Sequence, residues 1–150
     1  MDHGIKAAEL FLSGYNCAQA VAMAFCEETG LTQQQTARMV SAFGGGMGRL
    51  REVCGAVSGM LMVAGILYGY DDPKATTAKR ELYAQVQEMA GTFREEMGSI
   101  ICRDLLKNPP ADPTPSPRTP EYYHNRPCAR MVETAARILD AYIEAHPIDA

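Results

Sequence analysis

The chain lacks an apolar run long enough to cross a bilayer. Its longest, Val53 to Tyr68, contains only Ser58 as a polar residue. It covers about 16 residues where roughly 20 are needed, and Gly, Ala and Ser dilute it. Gly55 and Gly59 fall one turn apart, as do Gly65 and Gly69. That spacing resembles a membrane dimerisation face, but soluble bundles use it too. A protein that does not span a membrane is expected. There is also no basic patch. Lys and Arg number 14 against 18 Asp and Glu, for a net charge of −4 with both signs interspersed. This excludes a nucleic-acid footprint. The start, Met1-Asp2-His3-Gly4-Ile5-Lys6, has no apolar signal core, so a cytoplasmic location is expected. No C-x-x-C pair occurs among the five cysteines, which excludes zinc-finger and thioredoxin signatures. No stretch alternates with a β period.

What is present is helical. The 150 residues predict one domain, residues 1–150, and 47% hydrophobic content is ample for its core. Ile5 to Leu12 reads as a helix with Ile5, Ala8, Phe11 and Leu12 inward. Asn16 caps a second, Cys17 to about Glu28, closed by Gly30. Thr32 with Gln35 forms a capping box for a third, Gln33 to about Ala42. A glycine-rich loop, Phe43 to Gly48, feeds a helix that is apolar all round, about residues 52–68. A helix without a polar face belongs in the centre, so the predicted fold is an all-α helical bundle around this central helix. Asp72-Pro73 starts a long helix to about Met97, with Leu82, Val86, Met89 and Phe93 on one face. Ser99 caps a short one, Ile100 to about Leu106. Residues 108–120 hold six prolines and read as a surface loop that wraps the fold or meets a partner. The last helix runs from about Arg126 to Ala145.

The cysteines carry the chemistry. Five in a cytosolic chain point to catalysis or metal binding rather than to a disulfide framework. Cys17, Cys54, Cys102 and Cys128 each fall in the first turn of a predicted helix, whereas Cys26 falls near a C-terminus. Helix N-termini carry partial positive charge and free N–H groups, which favour thiolate over thiol. The simpler alternative is that each is a small buried core residue. Cys54 is the expected nucleophile and the most acidic thiol. It opens the long helix after the flexible glycine loop, and Arg49 and Arg51 flank it. Cys17 is its expected partner. Gly45, Gly46, Gly55 and Gly59 are the backbone candidates for holding a bound group. The remaining candidates are weaker. The loop lacks the G-K-[ST] ending of a phosphate loop. His3, His124 and His146 read as surface residues, with His124 as a spare ligand. Met60 and Met62 read as core, and Glu95-Glu96 and Asp71-Asp72 as solvated or capping.

Three blocks and a fourth cysteine resemble a known family. Gly14-Tyr15-Asn16-Cys17-Ala18-Gln19-Ala20-Val21 looks like its first motif. Phe43 to Gly48 followed by Cys54-Gly55-Ala56-Val57-Ser58-Gly59 resembles its C-G-A-x-x-G signature. Gly98 to Leu106 resembles its third block, and Cys128 its fourth cysteine. The chain is thus similar to the C_GCAxxG_C_C family of redox-active proteins. The resemblance implies a small bacterial or archaeal protein whose functional positions are Cys17, Cys54, Cys102 and Cys128, with genes often near those of transporters. Three functions follow. The four cysteines do thiol–disulfide chemistry with an unidentified redox partner, or they hold an iron–sulfur cluster or soft metal through four thiolates. Otherwise the chain is a non-catalytic helical module that contacts a transporter. Homo-oligomerisation stays open.

Overall fold

The computed structural model describes residues 2–148. Among these the chain is helix, turn and loop without a strand, so the all-α class holds. The one β-type pairing among them is an isolated antiparallel bridge between Val53 and Ile101. No helix of the described residues is long and apolar enough to cross a membrane.

The N-terminal helices form where polar side chains satisfy their first N–H groups. Asp2 accepts from Gly4 and Ile5 and starts α1, His3–Leu12. Asn16 and Gln19 form a capping box that starts α2, Cys17–Met23. Phe25 then leaves the helical region at φ −107°, and a short helix α3, Cys26–Thr29, ends on left-handed Gly30. The expected single helix to Glu28 is therefore broken. The Phe25 ring is fully buried and stacks on His3, with centroids 4.1 Å apart. The Thr32–Gln35 box starts α4, Gln33–Val40, as expected. After a 3-10 turn, Ser41–Phe43, comes a short turn α5, Gly44–Met47.

The apolar helix is α6, Gly55–Tyr68, three residues shorter at its start than predicted. Cys54 is its cap, because Glu52 and Val53 are drawn into the bridge with the segment around Ile101. α6 is not buried all round. Its first turns are enclosed, whereas Ile66 is 50% exposed. The core is shared: α6 packs on α2, and α10, Cys128–Ala145, packs on α1, α2 and α6. Phe11, Val21, Phe25, Met60, Phe93, Met131 and Leu139 fill the centre. Each such side chain contributes roughly 1.5–3 kcal/mol when fully buried. Gly59 brings α6 onto α2, since a Cβ there would lie 2.6 Å from the Ala18 carbonyl oxygen.

Five further expectations change. α1 turns Ala7 and Phe11 inward, while Ile5 and Leu12 are more than half exposed. His3, read as a surface residue, is 6% exposed and meets carboxylates of Glu28 and Asp140. The long helix α7, Thr76–Met97, starts after Ala75; Asp72 instead accepts from the Lys74 amide in the preceding turn. Met89 and Phe93 are its fully buried residues. The short helix is α8, Cys102–Leu105. Residues 109–119 are free of helix, and an additional helix α9, Pro120–Asn125, precedes α10 with Thr119 as cap.

Candidate functional site

Four distant segments meet because backbone ties hold them. Cys17 is the first residue of α2, and the neighbouring Asn16 side chain donates to the Ser41 carbonyl at 3.1 Å. The amide of Cys54 donates to the carbonyl of Ile100, that of Cys102 to Glu52, and that of Arg103 to Arg51. This clip sets Cys54 at the start of α6 beside Cys102 at the start of α8. The loop between, residues 45–51, is coiled the left-handed way. Gly45, Gly46, Met47, Gly48, Arg49 and Arg51 all have φ between 59° and 71°. At Gly46 glycine is required twice over: a Cβ would also lie 2.6 Å from that of Cys102. Cys128 opens α10 behind Pro127.

All four sulfur-bearing residues line one small cavity of about 50 Å³, room for little more than a single water. Cys26 lies elsewhere, against the Thr36 hydroxyl at 3.4 Å. Helix-start position does not distinguish it, however. Because α2 breaks at Phe25, Cys26 also opens a helix. What separates it is that Cys26 does not line the cavity.

Within the cavity the thiols are unequal. Cys17 and Cys128 line the cavity together. Interaction with Cys17 first, and then the guanidiniums of Arg126, Arg118 and Arg51, pull Cys128 below the ordinary cysteine value. The same pairing and burial push Cys17 well up. Cys54 is the reverse of the expectation that it is the most acidic. Burial pushes it up to about 12, against the N–H groups of Ala56 and Val57, which favour its thiolate. Desolvation of an enclosed sulfur here outweighs the helix terminus. The Cys54 thiol sits 3.8 Å from the Met131 sulfur. Burial also raises Cys102, although Arg51 approaches its sulfur at 3.7 Å.

A sequence profile matches residues 15–142, and its family is described as "Putative redox-active protein (C_GCAxxG_C_C)". The chain belongs to this family. Comparison with curated proteins and with solved structures gives no significant match.

The redox role of the C_GCAxxG_C_C family puts weight on sulfur chemistry, and the donor set can be tested against a metal. Among the described residues no group of three or more His, Cys, Asp or Glu side chains is disposed to hold an ion. The four sulfurs in this arrangement do not fit a cluster. His124, the spare ligand, is exposed and outside the cavity. Of the glycines, Gly45, Gly46 and Gly55 touch the cavity. Gly59 does not; its open face is filled by Ala18, so it packs helices rather than holds a cofactor.

The residues missed from sequence are Arg118, Tyr122, Arg126 and Met131, all on the cavity wall. The Arg118 guanidinium lies over Phe11 at 4.7 Å and Tyr122 at 4.9 Å, and donates to the carbonyls of Phe11 and Tyr15. Arg126 lies over Tyr122 at 4.6 Å. The available signal was Arg126 two residues before Cys128. Arg118, inside a proline-rich segment, gave none.

Proposed function

We propose that this protein is a dithiol–disulfide redox protein in which Cys128 is the nucleophile and Cys17 the resolving cysteine. The reading rests on one observation: Cys17 and Cys128 line one cavity with Arg51, Arg118 and Arg126, three guanidiniums that favour negative charge on Cys128. A depressed thiol pKa beside a second thiol is what exchange chemistry needs. The Cys128 thiolate attacks one sulfur of a substrate disulfide R–S–S–R′. A Cys128–S–S–R bond forms and R′S⁻ leaves. Cys17 gives up its proton and attacks the Cys128 sulfur, the mixed disulfide breaks, and RS⁻ leaves. The Cys17 proton and one from solvent, where Cys128 had already released its own, end on the two released thiols. The substrate gains two electrons and the Cys17–Cys128 pair loses them. Cys54 stays protonated against Met131 and takes no part in the first attack.

The test treats reduced protein with bis(2-hydroxyethyl) disulfide and maps the products by peptide mass spectrometry. A Cys17–Cys128 disulfide is expected in the native sequence. In Cys17→Ala, a mixed disulfide should accumulate on Cys128. A mixed disulfide first formed on Cys54 or Cys26 would defeat the assignment.

A further inference from the structure

Outside the thiol cavity lies a second, wider one of about 260 Å³. The two share a wall that includes Arg51, Arg118 and Arg126. Arg49 lines the outer cavity, and the proline-rich segment closes it with Pro113 and Pro115. No carboxylate lines it. None of the four arginines forms a salt bridge among the described residues, in a chain whose net charge is −4. An acid that acts on Arg49 is Asp112, an exposed residue whose carboxylate accepts from the Thr114 amide.

Arg51 is the decisive member. It is 3% exposed. Its Nε donates to the Pro110 carbonyl at 3.1 Å and its Nη1 approaches Cys102, but its Nη2 is buried without a hydrogen-bond partner. The Nε of Arg49 is buried and unpartnered as well. A desolvated charge without a counter-charge is costly, and an unmade hydrogen bond adds to that cost. Arg49 registers the crowding. Burial and the guanidiniums of Arg51 and Arg126 push its pKa down.

We propose that this outer cavity is an oxyanion site, and that it receives the anionic group of the substrate whose disulfide reaches Cys128. Guanidinium forks match sulfonate, phosphate and carboxylate oxygens, and the free N–H groups of Arg51 and Arg49 are the donors left for them. The oxyanion site rests on the arginines alone; only its assignment to the substrate rests on the disulfide chemistry above.

Two measurements test it. The first compares thermal unfolding in sodium sulfate and in sodium chloride at equal ionic strength. Sulfate should raise the midpoint by about 2–4 °C more than chloride. The difference should vanish in Arg49→Gln, return in part in Arg49→Lys and persist in Arg94→Gln on the exposed side of α7. Equal midpoints in the native sequence would overturn the oxyanion site, whatever the thiols do. The second measures the reaction rate with bis(2-sulfonatoethyl) disulfide and with bis(2-hydroxyethyl) disulfide, each relative to its rate with free mercaptoethanol. The sulfonate should be favoured about tenfold, and Arg49→Gln should lose the preference. Sulfate stabilisation without that preference would overturn the substrate assignment. If neither disulfide reacts through Cys128 while sulfate still stabilises, the disulfide reading falls and the oxyanion site stands.

Discussion

The amide of Cys102 donates to the carbonyl of Glu52 at 2.6 Å. With the matching bond from Cys54 to Ile100, it joins the second cysteine motif to the third through backbone alone. The sulfurs do not hold their own segments in place. Substitutions at Cys54 or Cys102 leave both backbone bonds in place.

Reactivity should follow the electrostatics of the cavity. Cys128 is depressed, so its thiolate exists above a lower pH than that of a free cysteine, and its alkylation should begin there. Cys54, at about 12, should react only well above that pH. Removing the Cys17 thiol in Cys17→Ala, or a charge in Arg126→Gln, should shift the Cys128 profile to higher pH. Iodoacetamide rates against pH, read for each cysteine peptide, measure this. Cys54 reacting ahead of Cys128 at pH 7 would contradict it.

Two glycines of the same helix should respond oppositely to alanine. Gly59→Ala places a methyl against the Ala18 carbonyl and should cost about 1–3 kcal/mol by separating α6 from α2. Gly65 is exposed with nothing within 4 Å, so Gly65→Ala should gain up to about 1 kcal/mol from helix propensity. Urea denaturation midpoints distinguish them.

Met47 sits at φ 68° with its side chain 43% exposed. The left-handed region costs a residue with a Cβ roughly 1–2 kcal/mol, and this methionine makes little return contact. Met47→Gly should raise stability by about 1 kcal/mol at an unchanged denaturant slope. A lower stability would show that the Met47 side chain contributes more than its exposure implies.

Much of the fold was legible because its signals are local. The Thr32–Gln35 box, the Asn16 cap and the Met89–Phe93 face each depend on residues within a turn or two. The failures are tertiary. α2 breaks because the Phe25 ring is taken up by His3, a residue more than twenty positions away. His3 itself is drawn inside by carboxylates from α3 and α10. The meeting of four cysteines was legible in outline from motif order, but their ranking was not. Helix-start position argues for an acidic Cys54, and only the packed structure reveals how completely its sulfur is desolvated. Arg118 acts on Cys128 through space, so no spacing along the chain announces it, whereas Arg126 stands two residues before that cysteine.

The cavity joins residue 17 to residue 128, near opposite ends of the chain. A covalent bond between those sulfurs would close a loop on the order of a hundred residues, which in the chain-entropy view restricts the unfolded state by about 4–5 kcal/mol. The oxidised protein would then be the harder one to melt. Redox poise and folding would be one linked equilibrium, so that a reductant in the surroundings also sets how long the chain survives a protease.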